Sequence, residues 1–72
     1  MQVQVKISAD LRNIRVQRVE IGLGSDAMGL IQLLGIPLEE VGVLSINGRQ
    51  ANYDQLLHPG DEIYIVPPIG GG

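Results

Sequence analysis

Cysteine, tryptophan and phenylalanine are absent from this sequence, and its aromatic residues are two tyrosines, Tyr53 and Tyr64. Without cysteine there is no disulfide framework, no thiolate metal site, no cysteine nucleophile and no side chain that carries a persulfide. Histidine occurs once, as His58 before a Pro-Gly turn. It has no acid and nucleophile at a recognisable spacing, so a surface loop residue is expected rather than a general base. The carboxylate pairs Glu39-Glu40 and Asp61-Glu62 are adjacent in sequence; on a strand such neighbours face opposite ways, and neither pair makes a metal site or an acid/base pair by itself. Gly22-x-Gly24 lacks the rest of a phosphate-binding signature. No metal and no enzymatic activity of the chain's own are expected. Basic residues are few, 5 against 8 acidic ones, for a net charge of −3. That balance repels a phosphate backbone and attracts a basic protein surface, so nucleic acid is not an expected partner. No apolar run approaches the roughly 20 residues that span a bilayer, and "MQVQVKISAD" lacks the charged-then-apolar layout of a signal peptide. No membrane contact is expected, and the expected location is cytoplasmic.

Val, Ile and Leu are what the chain has instead, within an apolar fraction of 44%. At 72 residues it makes one domain, and so short a chain buries only about 60% of its unfolded surface, which calls for an economical aliphatic core. Along "QVQVKIS" polar and apolar residues alternate, placing Val3, Val5 and Ile7 on one face of a half-buried strand. "RVEIGL" repeats the pattern with Val19, Ile21 and Leu23, and "SADLRNIRVQ" between them reads as the hairpin connection. Ile14 and Val16 extend the second strand only if a bulge or turn near Gln17 and Arg18 corrects their parity, which leaves that boundary open. In "GSDAMGLIQLLGIP" the period changes: Ala27, Leu30, Ile31 and Leu34 stand at i, i+3, i+4 and i+7, with Ser25 or Asp26 as N-cap and Gly35 as C-cap of a short helix. Gly29 inside it is a tolerated weakness or a point of close approach to the sheet. "VGVLSING" gives a third strand with Leu44 and Ile46 on one face, and Asn47-Gly48 is a strong turn signal because both residues accept positive φ. After "RQANYDQLL", Pro59-Gly60-Asp61 turns the chain into "EIYIVPP", a last strand that Pro67 ends because proline cannot donate to a ladder. The order predicts an α+β roll, one helix across a mixed sheet of four to five strands.

The sequence closes on "PPIGGG". Pro67-Pro68 favours an extended, semi-rigid stalk, and the glycines beyond it have no Cβ to obstruct a narrow channel. Residues 68–72 span at most roughly 17 Å, enough to carry a carboxylate from a domain at 1–67 into another protein's buried active site. On glycine content alone a frayed terminus explains the run equally well.

The segments "INGR", "LLHPGDEIYIVPP" and "GG", in that order after a strand hairpin and "LIQLLGIP", resemble the ubiquitin-like β-grasp sulfur carriers, that is, the molybdopterin synthase small subunit and the thiamine-biosynthesis sulfur carrier. The resemblance covers essentially the whole chain. It implies a β-grasp fold and a carrier without resident cofactor. Its C-terminal glycine carboxylate is adenylated by a ubiquitin-activating-type enzyme using ATP and converted to a thiocarboxylate, whose sulfur a partner synthase consumes. Carried over, Gly72 is the acceptor, Gly71 its required neighbour, and Pro67, Pro68, Ile69 and Gly70 the stalk. "NGR" and the "PP" before the tail point to the molybdopterin branch, with the molybdopterin synthase large subunit as acceptor. The triple glycine points to the thiamine branch, with thiazole synthase. A protein modifier joined to lysines and a noncovalent interaction module remain as alternatives that fold alone does not separate.

Parity also suggests where partners dock. If Ile63 and Ile65 face the core, Tyr64 and Val66 face away, as does Val43 relative to Leu44 and Ile46. An apolar patch there fits a partner site with Tyr64 as anchor and Arg49, Asp61 and Glu62 as a charged rim. The alternative is that these are strand formers partly covered by neighbours.

Overall fold

Residues 1–8 and 14–68 are described by the computed structural model. Strand β1 (Gln2–Ser8) pairs antiparallel with β2 (Ile14–Glu20), and helix α1 (Ala27–Leu34) follows. A 3-10 turn at Leu38–Glu40 leads to β3 (Val43–Ile46), the two-residue β4 (Arg49–Gln50) and β5 (Glu62–Val66). The five strands form one mixed sheet in the order β2-β1-β5-β3-β4, with β5 parallel to β1 and antiparallel to β3. This is the expected roll.

Alternation along each strand decides which face the helix covers. Val3 and Val5 of β1, Leu44 and Ile46 of β3, and Ile63 and Ile65 of β5 are all buried, and they share one core with Ala27, Leu30 and Ile31 of α1. Ile21 and Leu57 complete it from the connections. Burying a side chain of this size is worth about 1.5–3 kcal/mol, so with no aromatic residue in the core these aliphatic contacts supply most of the stabilisation.

The helix is held at both ends by what precedes and follows it in sequence. Asp26 is the N-cap, its Oδ1 accepting from Gly29 N at 2.8 Å. The other two leading amides are met by the long loop before β5: Ala27 N donates to Gln55 O at 3.0 Å and Met28 N to Tyr53 O at 2.8 Å. A helix start normally leaves such amides without partners, and here a loop with little regular structure of its own supplies them. Gly35, at φ 71°, closes the helix in the left-handed conformation that glycine adopts without strain.

Two expectations about the second strand are corrected. It needs no bulge: the ladder runs in regular register from Gln2↔Glu20 to Ser8↔Ile14. The parity conflict dissolves because Ile14 and Val16 lie on the opposite face from Val19, not in a displaced continuation of the same face. The strand also stops at Glu20, and Leu23 is 79% exposed. The chain turns there, with Ser25 N donating to Gly22 O at 3.2 Å and Gly24 at φ 85°, so the alternation cannot continue. The expected connection falls partly on residues 9–13, which lie outside the described residues. Glu39 and Glu40 stand on the 3-10 turn rather than on a strand.

At the other end of the sheet, Asn47 (φ 55°) and Gly48 (φ 83°) make the expected tight turn between β3 and β4. The Asn47 side chain also reaches β5: its Nδ2 donates to Asp61 Oδ1 at 2.9 Å, and its Oδ1 accepts from Glu62 N at 3.0 Å. Asp61 Oδ2 accepts from His58 N at 2.8 Å, and the exposed His58 ring stands 3.9 Å away. The lone histidine is a surface loop residue.

Candidate functional site

The face of the sheet turned away from α1 follows from the registers. Tyr64 sits between Lys6 of β1 and Ser45 of β3, and Val66 is opposite Val43. Val16 is opposite Lys6, and Ile14 opposite Ser8. Period 2 therefore puts Ile14, Val16, Val43, Tyr64 and Val66 on this one face. Ile14 and Val16 are each 51% exposed and Val43 is 47% exposed, while Tyr64 and Val66 are half-buried by their neighbours. Aliphatic side chains on the solvent side of a small sheet add little to folding, and an apolar face of this kind is characteristic of partner surfaces.

Charges frame it. Lys6 separates Val16 from Tyr64 within the face, Arg18 and Glu62 flank Gln4 one step along, and Glu20 is opposite Gln2 at the far end. Arg49 is not part of this frame: it stands in register with Ile46, on the helix side of the sheet, and lines a polar hollow with Asn47, Gln55, His58 and Asp61. Asp61 is engaged with Asn47 and the His58 amide.

Val66 is the last residue of β5 and lies at the same end of the face as Val43, with the Ser8 end of β1 between it and Ile14 of β2. Pro67 and Pro68 leave from there. They lack the N–H that would extend the ladder, and the final cross-strand bond is Gly42 N to Val66 O at 2.7 Å. On the helix side the same two prolines border an apolar hollow of about 480 Å³ lined also by Ile7, Ile36 and Ile65, with Glu39 and Glu40 at its rim. Ile69, Gly70, Gly71 and Gly72 lie outside the described residues. The structure thus brings Val43, Tyr64, Val66, Pro67 and Pro68 together and leaves Arg49 apart from them.

Sequence reasoning passed over Ile14 and Val16 as members of this face. The signal was their parity mismatch with Val19, since a mismatch of one residue means the opposite face. Among the described residues no cluster of His, Asp and Glu is arranged to hold a metal ion, and no helix is long and apolar enough to cross a membrane.

Comparison with known proteins follows the same lines. The family described as Mut7-C ubiquitin matches residues 6–70. SAMP1 from Haloferax volcanii is similar in structure over 100% of this chain and 100% of its own, with a TM-score of 0.77 and 22% sequence identity. A second structure, of H. volcanii small archaeal modifier protein 1, covers 94% of this chain and 98% of its own, with a TM-score of 0.75 and 20% identity. At such identities the likeness is one of fold, the ubiquitin-like β-grasp. Among curated proteins there is no match.

Proposed function

The chain belongs to the Mut7-C ubiquitin family, and from that premise we propose that it is a sulfur carrier serving molybdenum or tungsten cofactor synthesis, with Gly72 as the residue that is activated. One observation carries the reading. The run "PPIGGG" starts directly from Val66, at the edge of an exposed apolar face, so a partner docked on that face has the tail within reach. The four residues after Pro68 extend at most about 14 Å.

A carboxylate does not accept sulfur until one of its oxygens becomes a leaving group. In the proposed sequence a ubiquitin-activating-type enzyme binds ATP, and a Gly72 carboxylate oxygen bonds to the α-phosphorus as pyrophosphate departs. The terminal sulfur of a donor persulfide then attacks the acyl carbon and AMP leaves. A thiol cleaves the resulting acyl disulfide at the donor sulfur, releasing the thiocarboxylate and leaving a disulfide between donor and thiol. This chain holds no cofactor of its own and contributes position, not catalysis. Gly71 and Gly70 let the terminus enter a narrow active site, and the molybdopterin synthase large subunit consumes the sulfur. Thiazole synthase is the consumer in the thiamine version of the same reading.

A second reading is favoured by the name of the H. volcanii relative, a modifier protein. There the same adenylate is attacked by a lysine amine, giving an isopeptide bond. Product separates the two. With ATP, an activating enzyme and a sulfur donor, the intact mass is expected to rise by one oxygen-to-sulfur exchange, and deletion of Gly72 is expected to abolish it. Lysine conjugates without that exchange make the chain a modifier, and neither product leaves a noncovalent module.

A further inference from the structure

Gly42 precedes β3 and faces the point where the chain leaves the sheet. A methyl group built on it would overlap Pro68 Cα and lie 2.5 Å from Pro68 N and 2.8 Å from the Pro67 carbonyl carbon. These are backbone atoms, which do not move aside as the end of a flexible side chain does. The positive-φ glycines of the described residues are Gly24, Gly35, Gly48 and Gly60, so Gly42 is glycine for space and not for backbone conformation. At every other described glycine the nearest atom to the corresponding position is no closer than the 3.4 Å of Asp26 Oδ1 at Gly29.

Three features converge here. The Gly42 amide makes the last cross-strand bond, to Val66 O at 2.7 Å. Pro67 and Pro68 have no amide hydrogen, so no ladder bond guides the chain beyond Val66. Proline at 68 also holds Pro67 in extended backbone, and the two residues move as one stiff piece. The direction in which that piece leaves is then set by what it lies against, and what it lies against is the bare Cα of Gly42.

We propose that Gly42 is a positioning residue, a seat that fixes the exit direction of the Pro67-Pro68 stalk and thereby the approach of Gly72 to the activating enzyme's nucleotide site. The proposal rests on the carrier reading for its consequence, though not for its geometry. A side chain at position 42 pushes the base of the stalk off the sheet by about 1 Å, the gap between these overlaps and ordinary carbon contact at about 3.5 Å. Displacements of about 1 Å remote from the reacting atoms cost as much as 10²-fold in rate. Tyr64, the docking anchor, is paired with Lys6 and Ser45 inside the ladder and keeps its place, so the loss falls mainly on turnover.

The experiment is Gly42→Ala, with ATP and a ubiquitin-activating-type adenylating enzyme, following adenylate formation by ATP–pyrophosphate exchange. The expected result is a kcat lowered about tenfold or more with KM within about twofold of wild type. A merely structural role predicts the reverse pattern, a lowered Tm with kcat unchanged for the folded fraction, and that result overturns the proposal. Should Gly42→Ala not fold, Pro68→Gly takes its place: it keeps the seat but frees the stalk, and unchanged kcat there is equally fatal. NMR of the wild-type chain supplies the arm that needs no enzyme. Contacts between the Gly42 Hα atoms and the Pro68 ring are expected, and their absence overturns the seat. A wild-type chain that shows those contacts yet forms no adenylate sinks the carrier and modifier readings and leaves the seat itself standing.

Discussion

Gly29 and Gly42 look alike in the sequence, each a small residue inside a regular pattern, and their surroundings give them opposite roles. A Cβ on Gly29 would meet only Asp26 Oδ1, at 3.4 Å, which is ordinary contact, and nothing from the sheet approaches it. Gly29 is therefore a tolerated weakness. Gly29→Ala is expected to stabilise the domain by about 0.5–1 kcal/mol through helix propensity, visible as a Tm a few degrees higher. A lower Tm would mean that the methyl displaces the Asp26 carboxylate from its cap. The difference between the two glycines was not legible beforehand, because a glycine in a pattern records an allowance and not the neighbour that requires it. Asn47, Gly48 and Gly35 were legible, since positive φ within a turn or helix end is a local demand that the residue type itself satisfies.

Elements were read best where burial is one-sided. The core faces of β1, β3 and β5 follow from alternation, and α1 from its 3.6-residue period, because each buries one face only. β2 was read least well. It is an edge strand whose residues are mostly exposed, so no apolar parity is enforced along it, and its alternation carries less information. The contacts of the loop before β5 were also invisible, since its carbonyls meet the helix amides whatever side chains they carry. One tertiary link between elements was within reach of neither pattern nor propensity: Asp61 and Asn47 tie the β3–β4 turn to the start of β5. Asp61→Ala removes acceptors from Asn47 Nδ2 and His58 N, both in exposed surroundings. The expected cost is about 1 kcal/mol, or roughly 4–8 °C in Tm for a domain of this size. Urea unfolding should show a lower midpoint at an unchanged m-value. No change in midpoint would mean that water replaces both bonds without loss.

For the whole molecule, the helix covers one side of the sheet and leaves the opposite face open, which is where docking is proposed. Parity made Val43, Tyr64 and Val66 legible as one face, and the structure adds Ile14 and Val16 beyond Lys6. Tyrosine is among the residue types whose truncation at the centre of an interface costs about 2 kcal/mol or more. The double variant Tyr64→Ala, Val66→Ser is therefore expected to weaken binding to the activating enzyme, and to the synthase, by more than about tenfold. Ile14→Ser with Val16→Ser measures how far each partner extends across Lys6; a footprint confined to the β5 side leaves affinity unchanged there. Leu33, 59% exposed on the solvent side of α1, serves as the comparison, because Leu33→Ser alters exposed apolar area on the far side of the molecule. Circular dichroism must show each variant folded before its affinity is compared. If the Tyr64 and Val66 variant binds as wild type does, or if Leu33→Ser weakens binding as much, the outer sheet face is not where partners dock, and the tail must reach its acceptor from another side.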